Sequence, residues 1–291
     1  MSDVRRVGIM SPGDMGGGIG GVLHESGFEV LTCLAGRSEL TRVRAAEAGF
    51  RDTGDLDTLA READVILSVL VPSEATPIAE AIAAAVKRTG AKPVFVECNA
   101  IAPQTVAAIE ATMRGAGAGF IDAGIIGGPP RPGYSPHIYA SGPDTSAFEA
   151  LRAAGLDIRV LGPKIGQASG IKMVYAASTK GTTALWTELL VASRALGLEA
   201  ALRAEWGENH ATANAQMGGI PMMPNRARRW VGEMEEIAAT FEALGMTPRI
   251  LEGAADMYRF IGSTPLADQT SREPNPPLDT ILEVLTEHLP K

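Results

Sequence analysis

The chain has 291 residues, 45% apolar and 21% charged, the balance of a globular protein with room for one large domain or two ordinary ones. A net charge of −8 and a pI near 5.2 argue against a nucleic-acid surface. The longest apolar runs, such as Val65–Val71, are strand-sized and too short to span a membrane, and two cysteines, Cys33 and Cys98, rule out a disulfide framework. Met1-Ser2-Asp3-Val4 leads straight into a strand-like segment without a signal-peptide apolar region. A cytoplasmic address with two reduced thiols and no metal centre is the expectation.

Strand-like segments recur at Arg5–Met10, Glu29–Leu34, Val65–Leu70, Pro93–Glu97, Gly119–Ala123, His137–Ser141 and Ile158–Leu161. They are short and apolar without a period of two, as strands buried on both faces of a parallel sheet are. Between them, helical spacing predicts Met15–Glu25, Glu39–Ala48, Thr58–Ala63, Pro77–Lys87, Pro103–Arg114 and Ser146–Ala154. Thr76 followed by Pro77 reads as an N-cap and first turn. The alternation predicts a doubly wound α/β domain. Beyond Leu161 strand signals fade, and amphipathic patterns predict helices over Gln167–Leu196, Arg226–Leu244 and Glu252–Ile261, with a loop over Gly262–Pro277. The expected division is an α/β domain over 1–162 and an all-α domain over 163–291, joined by the long helix at about 167–196, with the active site in the cleft between them.

The stretch Gly8–Gly21 offers two registers for a G-x-G-x-x-G phosphate turn. Gly16 to Gly21 match letter for letter. Ser11-Pro12-Gly13-Asp14-Met15-Gly16 matches with serine in the first glycine position. The strand ends at Met10, and Met15, Ile19, Val22 and Leu23 recur at helical spacing, so the turn must lie at 11–14 and the perfect match falls inside the helix. The glycines at 17, 18, 20 and 21 then each cost roughly 1 kcal/mol against alanine and call for close packing on the sheet or a cofactor. The second strand ends in Cys33-Leu34-Ala35-Gly36-Arg37-Ser38, with no acid to bond a ribose. Arg37 can pair with a 2′-phosphate and Ser38 can donate a further bond, which points to NADP(H); a solvated arginine before a helix is the alternative. Leu70 and Val71, closing the third strand, complete the expected cofactor wall.

Three further stretches follow in order: Glu97-Cys98-Asn99-Ala100-Ile101-Ala102-Pro103, Asp122-Ala123-Gly124-Ile125-Ile126-Gly127-Gly128, and Gly162-Pro163-Lys164-Ile165-Gly166-Gln167-Ala168-Ser169-Gly170-Ile171-Lys172. Together with Gly13-Asp14-Met15-Gly16 they resemble the β-hydroxyacid dehydrogenase and 6-phosphogluconate dehydrogenase superfamily. The stretch around Arg226–Met246 resembles the helical domain of a sparsely characterised, phosphogluconate dehydrogenase-like branch. The resemblance implies a Rossmann-type doubly wound sheet followed by an all-α domain, and a homodimer formed through that helical domain. It implies Lys172 as the acid–base group, Asn99 beside the nicotinamide, and Gly127 and Gly128 as a substrate loop. A lysine can serve in both directions if burial brings its pKa towards neutrality.

The departures are as informative. Where the family has a serine before the paired glycines, this chain has Ile126. Four residues after the lysine stands Ala176 instead of asparagine, preceded by Tyr175. Tyr175 shares the helix face of Lys172 and reads equally as a substrate-holding, catalytic hydroxyl or as a core aromatic. Thr179 and Lys180, one turn on, border the same expected cleft. The implied substrate is a small alcohol or carbonyl, β-hydroxyacid-like or less acidic, with Ile125, Ile126, Pro129 and Pro130 at the pocket rim. Imine reduction and a non-catalytic NADP-binding role are the rival readings. Arg226, Arg228 and Arg229 either grip a substrate anion or pair with Glu233, Glu235 and Glu236. His210 shows no metal spacing, and Met217, Met222, Met223 and Met234 read as packing or a loosely shaped pocket wall.

Overall fold

The structure is a computed structural model that describes residues 4–131, 133–270 and 273–290. The expectation for Met1–Asp3 lies outside the described residues. Cα packing separates a first compact unit ending at Met173 from a second beginning at Val174. Among the described residues no helix is long and apolar enough to cross a membrane.

The first unit is built on one eight-stranded sheet in the order β3-β2-β1-β4-β5-β6-β7-β8. Its strands are β1 (Arg6–Ile9), β2 (Glu29–Thr32), β3 (Arg51–Asp52), β4 (Val65–Ser68), β5 (Val94–Glu97), β6 (Gly119–Ile126), β7 (His137–Ser141) and β8 (Asp157–Gly162). Its helices are α1 (Asp14–Glu25), α2 (Glu39–Glu47), α3 (Leu56–Glu62), α4 (Pro72–Thr89), α5 (Pro103–Ala116) and α6 (Ser146–Glu149). Both faces are covered. One core layer joins Ile19 and Leu23 of α1 to Val7, Val30, Phe148 and Leu151. The other joins Ile82 and Val86 of α4 and Ile109 and Met113 of α5 to Leu31, Ile66 and Phe95. This double burial is why the strands carry continuous apolar runs.

Four expectations for this unit change. β7 runs antiparallel to β6, while every other pair is parallel. The connection 127–136 is too short for the crossover that a parallel neighbour needs. β6 continues past Ala123 to Ile126, because β7 pairs along it, Ile125 opposite Ile138 and Ile126 opposite His137. Ile125 is thereby buried in the sheet core and is not a pocket-rim residue. Pro77 does not start a helix: α4 begins at Pro72, with Val71 as N-cap, and Pro77 sits within it. The burial of Ala75, Ala79 and Ile82 along one face outweighs the hydrogen bond that Pro77 cannot make. The two-residue β3 exists through pairing with β2 and leaves no apolar signal, since Arg51 and Asp52 are exposed.

The helix boundaries decide the glycine register. α1 starts at Asp14, so the letter-perfect match from Gly16 to Gly21 lies inside it. Packing explains three of these glycines. A Cβ on Gly16 would stand 2.1 Å from the Ser11 carbonyl oxygen, one on Gly18 3.0 Å from that of Pro130, and one on Gly20 2.0 Å from the Phe50 ring. Gly17 and Gly21 have room for a side chain, and nothing in the structure explains them.

The second unit is helical. The segment expected as one long helix comprises α7 (Gln167–Ala176), which crosses the unit boundary, a π-helical turn (Ala177–Gly181) and α8 (Thr182–Ala195). α9 (Glu199–Asn209) and α10 (Ala213–Met217) follow, then α11 (Ala227–Ala243), α12 (Arg249–Gly262) and α13 (Leu278–Glu287). α11 and α12 pair through Trp230, Met234 and Ile237 against Leu251, Ala255 and Tyr258; Trp230 meets the Tyr258 ring edge-on at 5.3 Å. α9, α10 and α13 lack a sequence expectation: α9 buries no residue, and the other two are short. The expected loop after α12 contains a 3-10 turn at Pro265–Asp268, and its positions 271 and 272 lie outside the described residues.

Candidate active site

Strands β1, β2, β4, β5 and β6 are mutually parallel, so their carboxyl ends form one edge, with β1 and β4 as central neighbours. An open sheet of this kind holds ligands outside that edge, where the chain switches sides. The turn Ser11–Gly13 leaves β1 there. Gly13 is the N-cap of α1 and offers no side-chain cap, so the first N–H groups of the helix keep no partner from a capping side chain. The close approach of Gly16 to Ser11 makes the turn tight. A bare helix start at the end of a central strand fits a pyrophosphate. Asp14 in that first turn pairs with Arg44 of α2 at 3.3 Å.

Beside the turn, a cleft of about 720 Å³ is lined by Met10, Cys33, Gly36, Arg37, Leu56 and Ile78, among others. Arg37 donates to the Met10 carbonyl at 3.1 Å, which tethers one arm of the guanidinium at the end of β1 and leaves other donors of its fork. Ser38 is the N-cap of α2, accepting from Thr41 N–H, and its hydroxyl pairs with that of Thr41. One acid does reach the end of β2. Asp52 accepts from Gly54 and Leu34 N–H, and these bonds, Gly54 foremost, hold its pKa below the usual carboxylate range. Its Oδ1 is thus engaged with backbone.

Asn99 is buried at 3% exposure, and its amide faces the protein. Its Oδ1 accepts from Leu70 N–H, and its Nδ2 donates to Ser68 Oγ at 2.8 Å. It ties the end of β5 to the end of β4 and to Leu70, whose neighbour Val71 is exposed. Its own N–H donates to Glu97 Oε1 at 2.8 Å. Glu97 is 1% exposed, and its other oxygen, Oε2, has no partner among the described residues. Burial, reinforced by the charge of Asp122 against its remaining hydrogen bonds, raises its pKa from 4.5 to about 8. The sequence motif contained Glu97, but an acid closing a strand carries no sign of how deeply it is buried.

Lys172 lies on α7, half-buried, with its Nζ donating to the carbonyl of Ile125 near the carboxyl end of β6. The helix can lie this close because β6 has a glycine beneath it. A Cβ on Gly124 would stand 2.3 Å from the Ala168 carbonyl oxygen and 3.1 Å from Lys172 Cβ. Two residues beyond the lysine's acceptor, the loop turns at Gly127, whose φ of +132° is a glycine conformation, and Gly128 donates to the Tyr134 hydroxyl at 3.2 Å. One of the two loop N–H groups expected to face substrate therefore already has an acceptor. Tyr134, which no motif flagged, closes this loop, with Arg131 over its ring at 5.2 Å. Pro129 and Pro130 rest on Gly18, joining the loop to α1. Ile126 is half-buried.

Tyr175 is 49% exposed and so is not a core aromatic. Thr179 sits in the π-helical turn, exposed, with its hydroxyl donating to the Ala176 and Tyr175 carbonyls. Lys180 forms an ion pair with Glu233 instead of reaching solvent, and its ammonium lies 5.5 Å from the Trp230 ring. The arginine cluster divides. Arg229 pairs with Glu233 at 3.4 Å as expected, but Arg228 bonds Asp268 and the Gly262 carbonyl, and Glu235 pairs with Arg259. Met217, Met223 and Met234 are buried and Met222 is 44% exposed.

With the geometry in place, comparison with known proteins adds identity. Residues 6–154 match the family model described as the NAD binding domain of 6-phosphogluconate dehydrogenase. Residues 193–261 match a domain of unknown function, DUF1932. A solved conserved protein of unknown function, described as structurally similar to 3-hydroxyacid dehydrogenases, is 31% identical, with 88% of this chain and 96% of that one covered and a TM-score of 0.66. A 3-hydroxyisobutyrate dehydrogenase from Mycobacterium tuberculosis is 17% identical, covering 97% and 99% of the two chains at a TM-score of 0.66. An imine reductase from Myxococcus stipitatus in complex with NADP+ is 18% identical, covering 88% and 92% at 0.55. The last two likenesses concern the fold alone.

Proposed function

The chain belongs to the family of the NAD binding domain of 6-phosphogluconate dehydrogenase, and from that premise we propose an NADP(H)-dependent oxidoreductase that interconverts an alcohol and its carbonyl, with Lys172 as general acid and base. The observation that carries this reading is the Lys172 ammonium, held on the Ile125 carbonyl beside the carboxyl edge of the sheet. The nicotinamide, when bound, accepts or supplies the hydride at the substrate carbon. As the neutral amine Lys172 takes the hydroxyl proton when the alcohol is oxidised, and as the ammonium it gives that proton back to the carbonyl oxygen in the reverse direction. The bare start of α1 and the tight Gly16 turn hold the pyrophosphate. With Ile126 where the family resemblance implies a carboxylate-binding serine, and Gly128 N–H bonded to Tyr134, two of the expected contacts to a substrate carboxylate are missing, so the favoured substrate is less acidic than a simple 3-hydroxy acid. Imine reduction is the second reading, favoured by the exposed Tyr175 three residues from Lys172 on α7. NADPH consumption against panels of ketones, semialdehydes and cyclic imines separates the two, and binding without turnover on every panel would leave only a cofactor-binding role.

Arg37 carries the preference for a 2′-phosphate. A hydrogen bond to a charged group is worth about 1.5–3 kcal/mol, so Arg37→Ala should raise the KM for NADPH at least about tenfold. The KM for NADH should stay within about twofold, since it lacks the phosphate that the guanidinium binds. Equal increases for both cofactors would remove Arg37 from the selection.

The reading includes a homodimer through the helical unit. α8 and its C-cap expose Leu185 (52%), Leu189 (40%) and Leu196 (71%) at spacings of one helix face. Light scattering on the full chain should return about twice its 30.4 kDa mass. A mass matching one chain at micromolar concentration would refute the pairing.

A further inference from the structure

The deepest charge in the first unit lies beneath the helix that carries Lys172. Asp122 has no exposed surface. Its Oδ2 accepts from Ser141 Oγ at 2.9 Å, from Gly166 N–H at 2.9 Å, from Ala168 N–H at 3.0 Å and from Ser169 N–H at 3.1 Å, and its Oδ1 accepts from the Ser169 hydroxyl. An N-cap side chain ordinarily satisfies one or two of the free N–H groups at a helix start. Here one carboxylate gathers the backbone of the turn that opens α7. Ser141 Oγ also accepts from Ala168 N–H at 3.0 Å, which links β7 into the clamp.

We infer that Asp122 is the positioning residue for Lys172, fixing the origin of α7 and with it the place of the lysine's amine; the inference rests on Lys172 as the acid–base group. Register along β6 sets this arrangement. Asp122 and Gly124 are two residues apart, so both face α7 from the same side of the sheet. Asp122 holds the start of the helix, and Gly124 lets the Ala168 backbone and the Lys172 Cβ lie against the strand. Ile125, the next residue, presents the carbonyl that receives Lys172 Nζ. Lys172 follows Ser169 by less than one helical turn, roughly 4.5 Å of rise, so displacement at the clamp reaches the amine almost undiminished. Gly166, just before the helix, has a φ of +94° that delivers its N–H to the carboxylate. On α7 the outward Ile171, Val174 and Tyr175 are exposed, and packing on the strand side comes from the buried Ala168 and Met173.

Asp122→Asn keeps the shape but replaces one accepting oxygen with a donor that faces other donors. In the full chain it should speed amide exchange over 166–173 at least about tenfold while α4 and α5 keep their native rates. Acetylation of Lys172 by acetic anhydride near pH 9, followed by mass spectrometry, should also accelerate about tenfold as the amine leaves its carbonyl. Turnover should fall about a hundredfold, with NADPH affinity within about threefold of the wild type. Ser169→Ala, which keeps the charge and removes one donor, should give smaller changes in the same directions. If the asparagine variant loses protection throughout the chain, Ser169→Ala carries the test, and unchanged exchange and labelling there overturn the inference. Native exchange and labelling in a folded Asp122→Asn also overturn it. A Lys172→Ala variant that turns over normally, while Asp122→Asn still frees the amine, would instead reject the acid–base reading and keep the clamp.

Discussion

Lys172→Ala should reduce turnover by about 10²–10⁴-fold, the contribution of a positioned general acid–base group, while the dissociation constant for NADPH stays within about twofold. The two quantities separate because they rest on different parts of the fold. The turn proposed for the cofactor lies at the start of α1, near the cleft that Arg37 lines, and the amine belongs to α7 where it meets β6. Truncation at Cβ also removes the donor from the Ile125 carbonyl. Lys172→Met, which retains much of the stem, controls for lost packing. It should be as inactive as the alanine variant but closer to the wild type in thermal midpoint. The check is NADPH oxidation with the best carbonyl of the panel, alongside a fluorescence titration of NADPH. Turnover within about threefold of the wild type would place the proton transfer elsewhere.

A pH-dependent loss of stability traceable to Glu97 is the second large effect. In the folded chain burial holds this carboxyl protonated up to about pH 8, whereas in the unfolded chain it ionises near 4.5. Between those values the folded state keeps a proton that the unfolded state has released. Stability from this group is therefore complete below 4.5 and falls as pH rises, by up to about 1.4 kcal/mol per pH unit, flattening above about pH 8. Glu97→Gln removes the titration and retains an oxygen to accept from Asn99 N–H. Urea midpoints of the two proteins at about pH 5, 6.5, 8 and 9 should diverge from the acid side upward, with the glutamine variant the more stable in base. Parallel curves would show that Glu97 is already ionised in the fold. The local effect of ionisation falls on Asn99 and Leu70, since Glu97 and the Ser68–Asn99 pair share one hydrogen-bonded cluster at the ends of β4 and β5.

Much of the fold was legible because its signals are local. The buried strands show as apolar runs, and the helix start at Asp14 follows from where those runs stop and helical spacing begins. That boundary puts the turn after β1 at Ser11–Gly13 and the better literal match inside α1. The order of motifs also brought out the family and the placement of Lys172 on a helix. What remained hidden depends on partners distant in the chain. The antiparallel β7 and the extension of β6 to Ile126 arise from pairing across 127–136. Pro77 is carried inside α4 by burial on one face, against its local preference.

The same division runs through the candidate site. By itself, the sequence determined that a glycine turn follows the first strand, that the stretch after the second carries Arg37 and no acid, and that Lys172 lies on a helix after the Gly162–Ile171 stretch. Each is a property of neighbouring residues, which spacing and residue chemistry express directly. Only the tertiary structure decided that Asn99 faces inward, that Ser38 caps a helix, that Gly18 and Gly20 make room for Pro130 and Phe50, and that Asp122 gathers the start of α7. A side chain's role there depends on which groups the fold buries beside it, and burial is a property of the assembled sheet and helices.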